Sequence, residues 1–183
     1  FVRVFIINAV NVFNHFHMIR AQAVGNKNGG NVRTAPFKSG NFFIFADALK
    51  ARIAALQARQ RREGKRVWPT TLRFVWAREF GEIKGKKHDH AVLLLNRDTW
   101  CGPGDYQDPD SLAGMIKQAW CSALKVDAHA HAVLARFPKS PVSWLTRGNT
   151  TELQQALAQA AYLAKRETKV TGDGERNFGC SRG

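Results

Sequence analysis

With 183 residues and 44% hydrophobic composition, the chain can bury a proper core and is most simply one domain, 1–183. Its 28 Lys and Arg against 14 Asp and Glu leave a formal charge of +14, more than solubility needs. That points to a polyanionic partner, nucleic acid before anionic membrane.

No apolar run approaches the roughly 20 residues that span a bilayer, so a membrane protein is not expected. The apolar start, Phe1 to Asn8, is too short and too quickly interrupted for a signal peptide. There is no initiator Met, which leaves a fragment or an excised domain open. Cys101, Cys121 and Cys180 lack CxxC spacing, so neither a disulfide framework nor a thiolate zinc site is indicated. Ordinary thiols in a reducing cytoplasm are expected.

In chain order, Val2–Ile7 is a first strand rich in β-branched and aromatic residues. Residues 8–40 hold many Asn and Gly without a sustained period and are expected to be irregular. Phe42, Phe45, Leu49, Ile53 and Leu56 then recur at helical spacing, and the helix should fray near Gly64. Arg61, Arg62, Lys65 and Arg66 crowd that end, where cations suit the helix dipole as well as they suit a phosphate.

Leu72, Phe74, Trp76 and Phe80 alternate with Arg73, Val75, Ala77 and Glu79, a strand whose heavier apolar face lies opposite Glu79. The next strand, from His88 to Asn96, is apolar on both faces and should be central in its sheet. Asp108-Pro109-Asp110-Ser111 signals a helix start, and Leu112, Ile116, Ala119, Ala123 and Leu124 form its stripe. His129–Phe137 reads as a further strand, and Val142–Leu145 as a short one. A last helix begins at Asn149 with Glu152 as cap partner and is expected to bury Leu153, Ala156, Leu157, Ala160 and Ala164, with Leu163 at the margin. The glycines of 171–183 mark a flexible tail. The order predicts an α+β fold: a ferredoxin-like antiparallel sheet, helices on one face and a final helix appended.

Chemistry concentrates at the turn between the two middle strands. Glu79 ends the first, and His88 and His90 open the second on one face of it. Two imidazoles and a carboxylate can hold a divalent metal with positions left open. Tyr162 is the second focus. It falls opposite the expected core stripe of the last helix, with Gln155, Gln159, Lys165 and Arg166 on its side. Lys165 is one helical turn from it, giving a Tyr-x-x-Lys unit. A tyrosine hydroxyl has an unperturbed pKa of roughly 10 and needs help as a nucleophile. A metal that polarises a phosphodiester and a lysine that neutralises it would supply that help.

These residues carry a family resemblance. Glu79, Gly85, His88 and His90 match the Glu-x(5)-Gly-x-x-His-x-His arrangement of many rolling-circle replication initiators, and Tyr162-x-x-Lys165 matches their nucleophile motif. The chain resembles more closely still the prophage YagK/YfjJ C-terminal-domain family, also called the inovirus gene-two-type proteins. Arg66-Val67, Leu72–Glu79, His88–Arg97, Ala161–Lys165, Gly172–Gly174 and Phe178–Arg182 carry that likeness, which runs from about Phe45 to the C-terminus. The resemblance implies an HUH-type (His-hydrophobe-His) endonuclease domain that nicks single-stranded DNA at a replication origin. Glu79, His88 and His90 would hold Mg2+ or Mn2+, Tyr162 would form a covalent 5′-phosphotyrosine bond, and Lys165 would assist. Lys84, Lys86, Lys87, Arg166 and Lys169 would contact the strand, and a host helicase would be a further partner. One position departs from the pattern: Asp89 stands between the histidines where a hydrophobe is expected.

Rival readings remain open on sequence grounds. His15/His17 and His129/His131 are also His-x-His pairs, although neither has the preceding acid and glycine. The lesser alternative for Glu79 is a strand-end surface carboxylate paired with Arg78 or Lys87. Trp68, Trp76, Trp100, Trp120 and Trp144 are expected in the core rather than as base-stacking platforms; Trp68 and Trp100, near predicted loops, are the only ones to test for stacking. The competing function is a catalytically inactive, basic nucleic-acid-binding prophage protein; a third is a phosphodiesterase that uses water.

Overall fold

Phe74 and Trp76 leave one side of their strand, and Val75, Ala77 and Glu79 leave the other. This alternation sorts the molecule into two cores. The computed structural model describes residues 2–9, 40–80, 87–164, 169 and 172–182; for 2–9, Gly40, Lys87 and Tyr162 it gives the backbone only. The stretch 10–39, most of the segment expected to be irregular, lies outside the described residues.

Strand β1 (Val2–Ala9) leads to helix α1 (Gly40–Arg62), then β2 (Arg73–Phe80) and β3 (Lys87–Asn96). Helix α2 (Leu112–Leu124) is followed by a short helix α3 (Ala128–His131), strand β4 (Val142–Leu145), helix α4 (Thr150–Ala161) and strand β5 (Phe178–Cys180). The sheet order is β4-β1-β3-β2-β5, and every neighbouring pair is antiparallel. The first four strands, with α1 between β1 and β2 and α2 between β3 and β4, form the expected α+β, ferredoxin-like sheet. β3 lies at its centre, and Ala91, Val92, Leu93 and Leu95 are all buried, as a strand covered on both faces requires.

The larger core lies between the Phe74/Trp76 face and helices α1 and α2. Phe42, Phe45, Leu49 and Ile53 of α1 meet Leu112, Ile116, Ala119 and Trp120 of α2 over Phe74, Trp76, Leu93 and Leu95. Phe42 stacks on Trp76 with ring centroids 5.0 Å apart. Each such side chain contributes about 1.5–3 kcal/mol through burial. Ser111 caps α2, its Oγ accepting from Gly114 N at 2.9 Å, at the start that the Asp-Pro-Asp-Ser run announced.

Four local expectations differ from the structure. Residues 128–134 are helical rather than extended: Asp127 caps the segment by accepting from Ala130 N at 2.8 Å, and the alanines there favour a helical turn. The expected flexible tail is partly a strand, since β5 pairs with β2 and Ser181 N donates to Phe74 O at 2.9 Å. Gly179 permits this because a Cβ there would come within 2.6 Å of Trp76 Nε1. Trp144 is half-exposed on an edge strand, with the Arg97 guanidinium 5.0 Å from its ring centroid.

The last helix, finally, covers the opposite face of the sheet from α1 and α2. Its buried residue is Ala156, and Leu163 just beyond it joins Ala77 and Val92 in the second core. Leu153 and Leu157 are 47% and 58% exposed, contrary to the expected stripe. Two contacts set this rotation. Glu152 Oε2 accepts from Thr146 N at 2.6 Å, and Ser143 Oγ donates to Gln159 Oε1 at 2.8 Å. The helix ends at Ala161, so Tyr162 opens a 3-10 turn (Tyr162–Ala164) instead of standing on the helix itself.

Candidate metal centre

Register places the two histidines against the acid. Glu79 is directly opposite His88 across β2 and β3, and Ala77 is opposite His90. Directly paired residues share a face, so all three side chains emerge on the side that also carries α4. Glu79 Oε2 lies 3.1 Å from His90 Nε2 and 3.5 Å from His88 Nε2. The two imidazole rings meet edge to face with centroids 4.9 Å apart. One ligand atom from each residue lies within 4.8 Å of the others, and no other group of three His, Cys, Asp or Glu does so among the described residues.

The environment suits a cation. Glu79 and His90 are buried, with side chains only 4% and 7% exposed, and His88 is 15% exposed. Burial holds the His90 pKa below its ordinary value of 6.5, and the neighbouring Glu79 carboxylate only partly offsets this. A neutral imidazole is the ligating form. Glu79 Oε1 is buried and accepts no hydrogen bond among the described residues; the Lys169 ammonium stands 3.7 Å from it. One carboxylate oxygen, Oε2, thus lies beside two imidazole nitrogens, and the other, Oε1, is buried beside the Lys169 ammonium; two imidazoles and a carboxylate are a donor set that a divalent ion takes.

The reverse side of the same strand pair carries something the motif reading did not anticipate. Arg78 and Asp89, directly opposite each other, are both fully buried. Arg78 Nε donates to Asp89 Oδ1 at 2.9 Å and Nη2 to Oδ2 at 3.1 Å, a two-pronged pair. Arg78 Nη1 also donates to Glu175 Oε2 at 2.8 Å. Burial pushes the Asp89 carboxyl above its ordinary value, and the guanidinium opposes that. The departure at Asp89 thus has a partner, and Arg78 is engaged there instead of pairing with Glu79. An Arg and an Asp at facing positions of two apolar strands was the signal in the sequence.

The remaining expected site residues divide as follows. Lys84, Gly85, Lys86, Lys165 and Arg166 lie outside the described residues, as do His15 and His17. Lys87 is the first residue of β3, paired with Phe80. Lys169, expected on the DNA strand, is placed at the cluster itself; its Nζ donates to Arg78 O at 3.4 Å. Tyr162 begins the turn that packs against β2, and Leu163 beside it shares a buried cluster with Ala77, the residue opposite His90. His129 and His131 form no such group. Trp100 is buried in the main core, whereas Trp68 is 41% exposed beneath the Arg66 guanidinium, 4.1 Å from its ring centroid. Among the described residues no helix is long and apolar enough to cross a membrane.

A ferredoxin-like antiparallel sheet with a Glu/His/His cluster on its β2–β3 pair defines an α+β domain in which three side chains could hold a metal ion. The chain belongs to the YagK/YfjJ C-terminal domain family, which it matches over residues 38–181. It is 39% identical over 160 residues to the uncharacterized protein YagK of Escherichia coli strain K12, covering 85% of this chain and 76% of that protein. It is 34% identical over 153 residues to the uncharacterized protein YfjJ of the same strain, covering 79% and 72%. No solved structure matches the chain.

Proposed function

We propose that the protein is an HUH-type endonuclease that nicks single-stranded DNA and joins itself to the 5′ end, initiating rolling-circle replication of a phage or mobile element. One observation carries this reading: Glu79, His88 and His90 converge on the face of the sheet against which the Tyr162 turn packs. The net charge of +14 supports a polynucleotide partner.

Glu79, His88 and His90 would hold Mg2+ or Mn2+, which when bound polarises a phosphodiester and stabilises charge on its oxygens. Burial of Glu79 and His90 excludes water and strengthens that electrostatic effect. The Lys169 ammonium, beside Glu79, adds positive charge where a phosphate would sit. Tyr162 is the nucleophile in this reading: its hydroxyl oxygen bonds to phosphorus, its proton leaves to solvent or base, and the 3′-oxygen departs with its electron pair. Lys165 assists at the same phosphate, and Lys84, Lys86, Lys87 and Arg166 hold the strand.

Incubation with 5′- and 3′-labelled single-stranded DNA and Mn2+, followed by a denaturing gel, tests this. A covalent protein–DNA band that Tyr162→Phe abolishes, with DNA binding retained, is expected. Cleavage without a shifted band would instead indicate water as nucleophile. Salt-sensitive binding with neither product, unaffected by chelation, would indicate a non-catalytic nucleic-acid-binding protein.

A further inference from the structure

Metal ligands hold their geometry only as well as the groups behind them do. Here the group behind is ionic. Arg78 directly precedes Glu79, and Asp89 stands between His88 and His90. Arg78 and Asp89 form the cross-strand rung between Glu79–His88 and Ala77–His90, and their side chains leave the opposite face. The centre and the ion pair are therefore two sides of the same few residues of backbone.

Packing alone does not call for charge at this place. The neighbours on that face, Trp76, Ala91 and Leu93, are apolar and buried, and an apolar pair would extend them. What the fork of Arg78 adds is direction. Its two hydrogen bonds to Asp89 fix the lateral spacing and rotation of the rung, and a one-residue slip would break both. Its third, to Glu175, ties in the C-terminal segment. Arg78 N also donates to Asn177 O at 2.8 Å, and Lys169 reaches both Arg78 O and Glu79. β2, β3 and the chain end thus meet at one arginine.

We propose that the buried Arg78–Asp89 pair, capped by Glu175, positions Glu79, His88 and His90 for a divalent cation. This rests on the reading of that cluster as a metal centre. The three residues act through the backbone and touch no metal.

The test uses the full chain and the Arg78→Leu/Asp89→Leu double variant, with Co2+ as the metal probe. Replacing both partners of a buried ion pair by apolar residues of similar size commonly leaves stability near its original value. The double variant is expected to unfold cooperatively near the wild-type temperature yet to bind Co2+ roughly 10- to 100-fold more weakly, with an altered visible absorption spectrum. Wild-type Co2+ affinity and spectrum in the folded double variant would overturn the proposal. Arg78→Lys, which keeps the charge and loses the fork, guards against a double variant that does not fold. It is expected to lose at least a few-fold in affinity, and unchanged affinity and spectrum would again overturn the proposal. Should wild-type protein bind no Co2+ at all, the metal-centre reading itself fails, a result distinct from either variant behaving like wild type.

Discussion

Glu79 Oε2 and His90 Nε2 stand 3.1 Å apart on neighbouring strands, both side chains more than nine-tenths buried. A carboxylate and an imidazole held this way, with His88 beside them, form a group of three side chains that could hold a metal ion. The arrangement makes metal binding the first property to measure.

A divalent ion at 100 times its Kd should stabilise the folded protein by about 2.7 kcal/mol. Thermal unfolding with Mn2+ and with chelator reads this as a shift in Tm. Glu79→Ala and His90→Ala should each remove the shift, while His129→Ala, at a pair outside the cluster, should keep it.

The same histidine gives a pH dependence whose sign is set by burial. The folded-state pKa of His90 lies below its ordinary value, so the unfolded chain takes up a proton first as pH falls. The stability associated with neutral His90 is complete above about pH 6.5 and is lost as pH falls through the folded-state value. The Tm advantage of metal-free wild type over His90→Ala should therefore be constant from pH 8 to 7 and shrink in acid. A difference that stays constant down to pH 5 would remove burial as the governing cause.

Lys169 places positive charge beside the carboxylate that would bind a cation. Lys169→Met should tighten Mn2+ binding in the absence of DNA by roughly three- to tenfold, by removing like-charge repulsion. It should also slow adduct formation, because the phosphate loses a counter-charge. Calorimetric titration and the labelled-strand gel separate the two effects.

Gly179 is where β5 crosses Trp76. Gly179→Ala would bring a methyl group within 2.6 Å of the buried indole nitrogen, and the strain should cost about 1–3 kcal/mol. Chemical denaturation should show a lower midpoint with an unchanged slope. The result would distinguish a packed C-terminal strand from a loose tail.

Much of the site was legible because it depends on local period. Alternation alone put Glu79 on the lighter face of β2 and His88 and His90 together on one face of β3. The three- and four-residue recurrence from Phe42 to Leu56 marked α1, and Ser111 marked the start of α2. These signals arise from the chain's own backbone geometry and need no knowledge of distant residues. At 128–134, where the residues read as a strand, the side-chain cap at Asp127 favours helix instead.

What the tertiary structure alone decided is pairing between segments far apart in the chain. It set Arg78 opposite Asp89 and brought Glu175 to Arg78. It turned α4 so that Ala156 and not Leu153 meets the sheet, added β5 beside Trp76, and laid the Tyr162 turn against β2. Each outcome depends on which surfaces remain to be covered once the sheet has formed, a choice made by burial and hydrogen-bond satisfaction over the whole molecule. No single stretch of residues carries that information, because the partners that settle it lie far apart in the chain, as Arg78 and Glu175 do at 97 residues and Phe74 and Ser181 at 107.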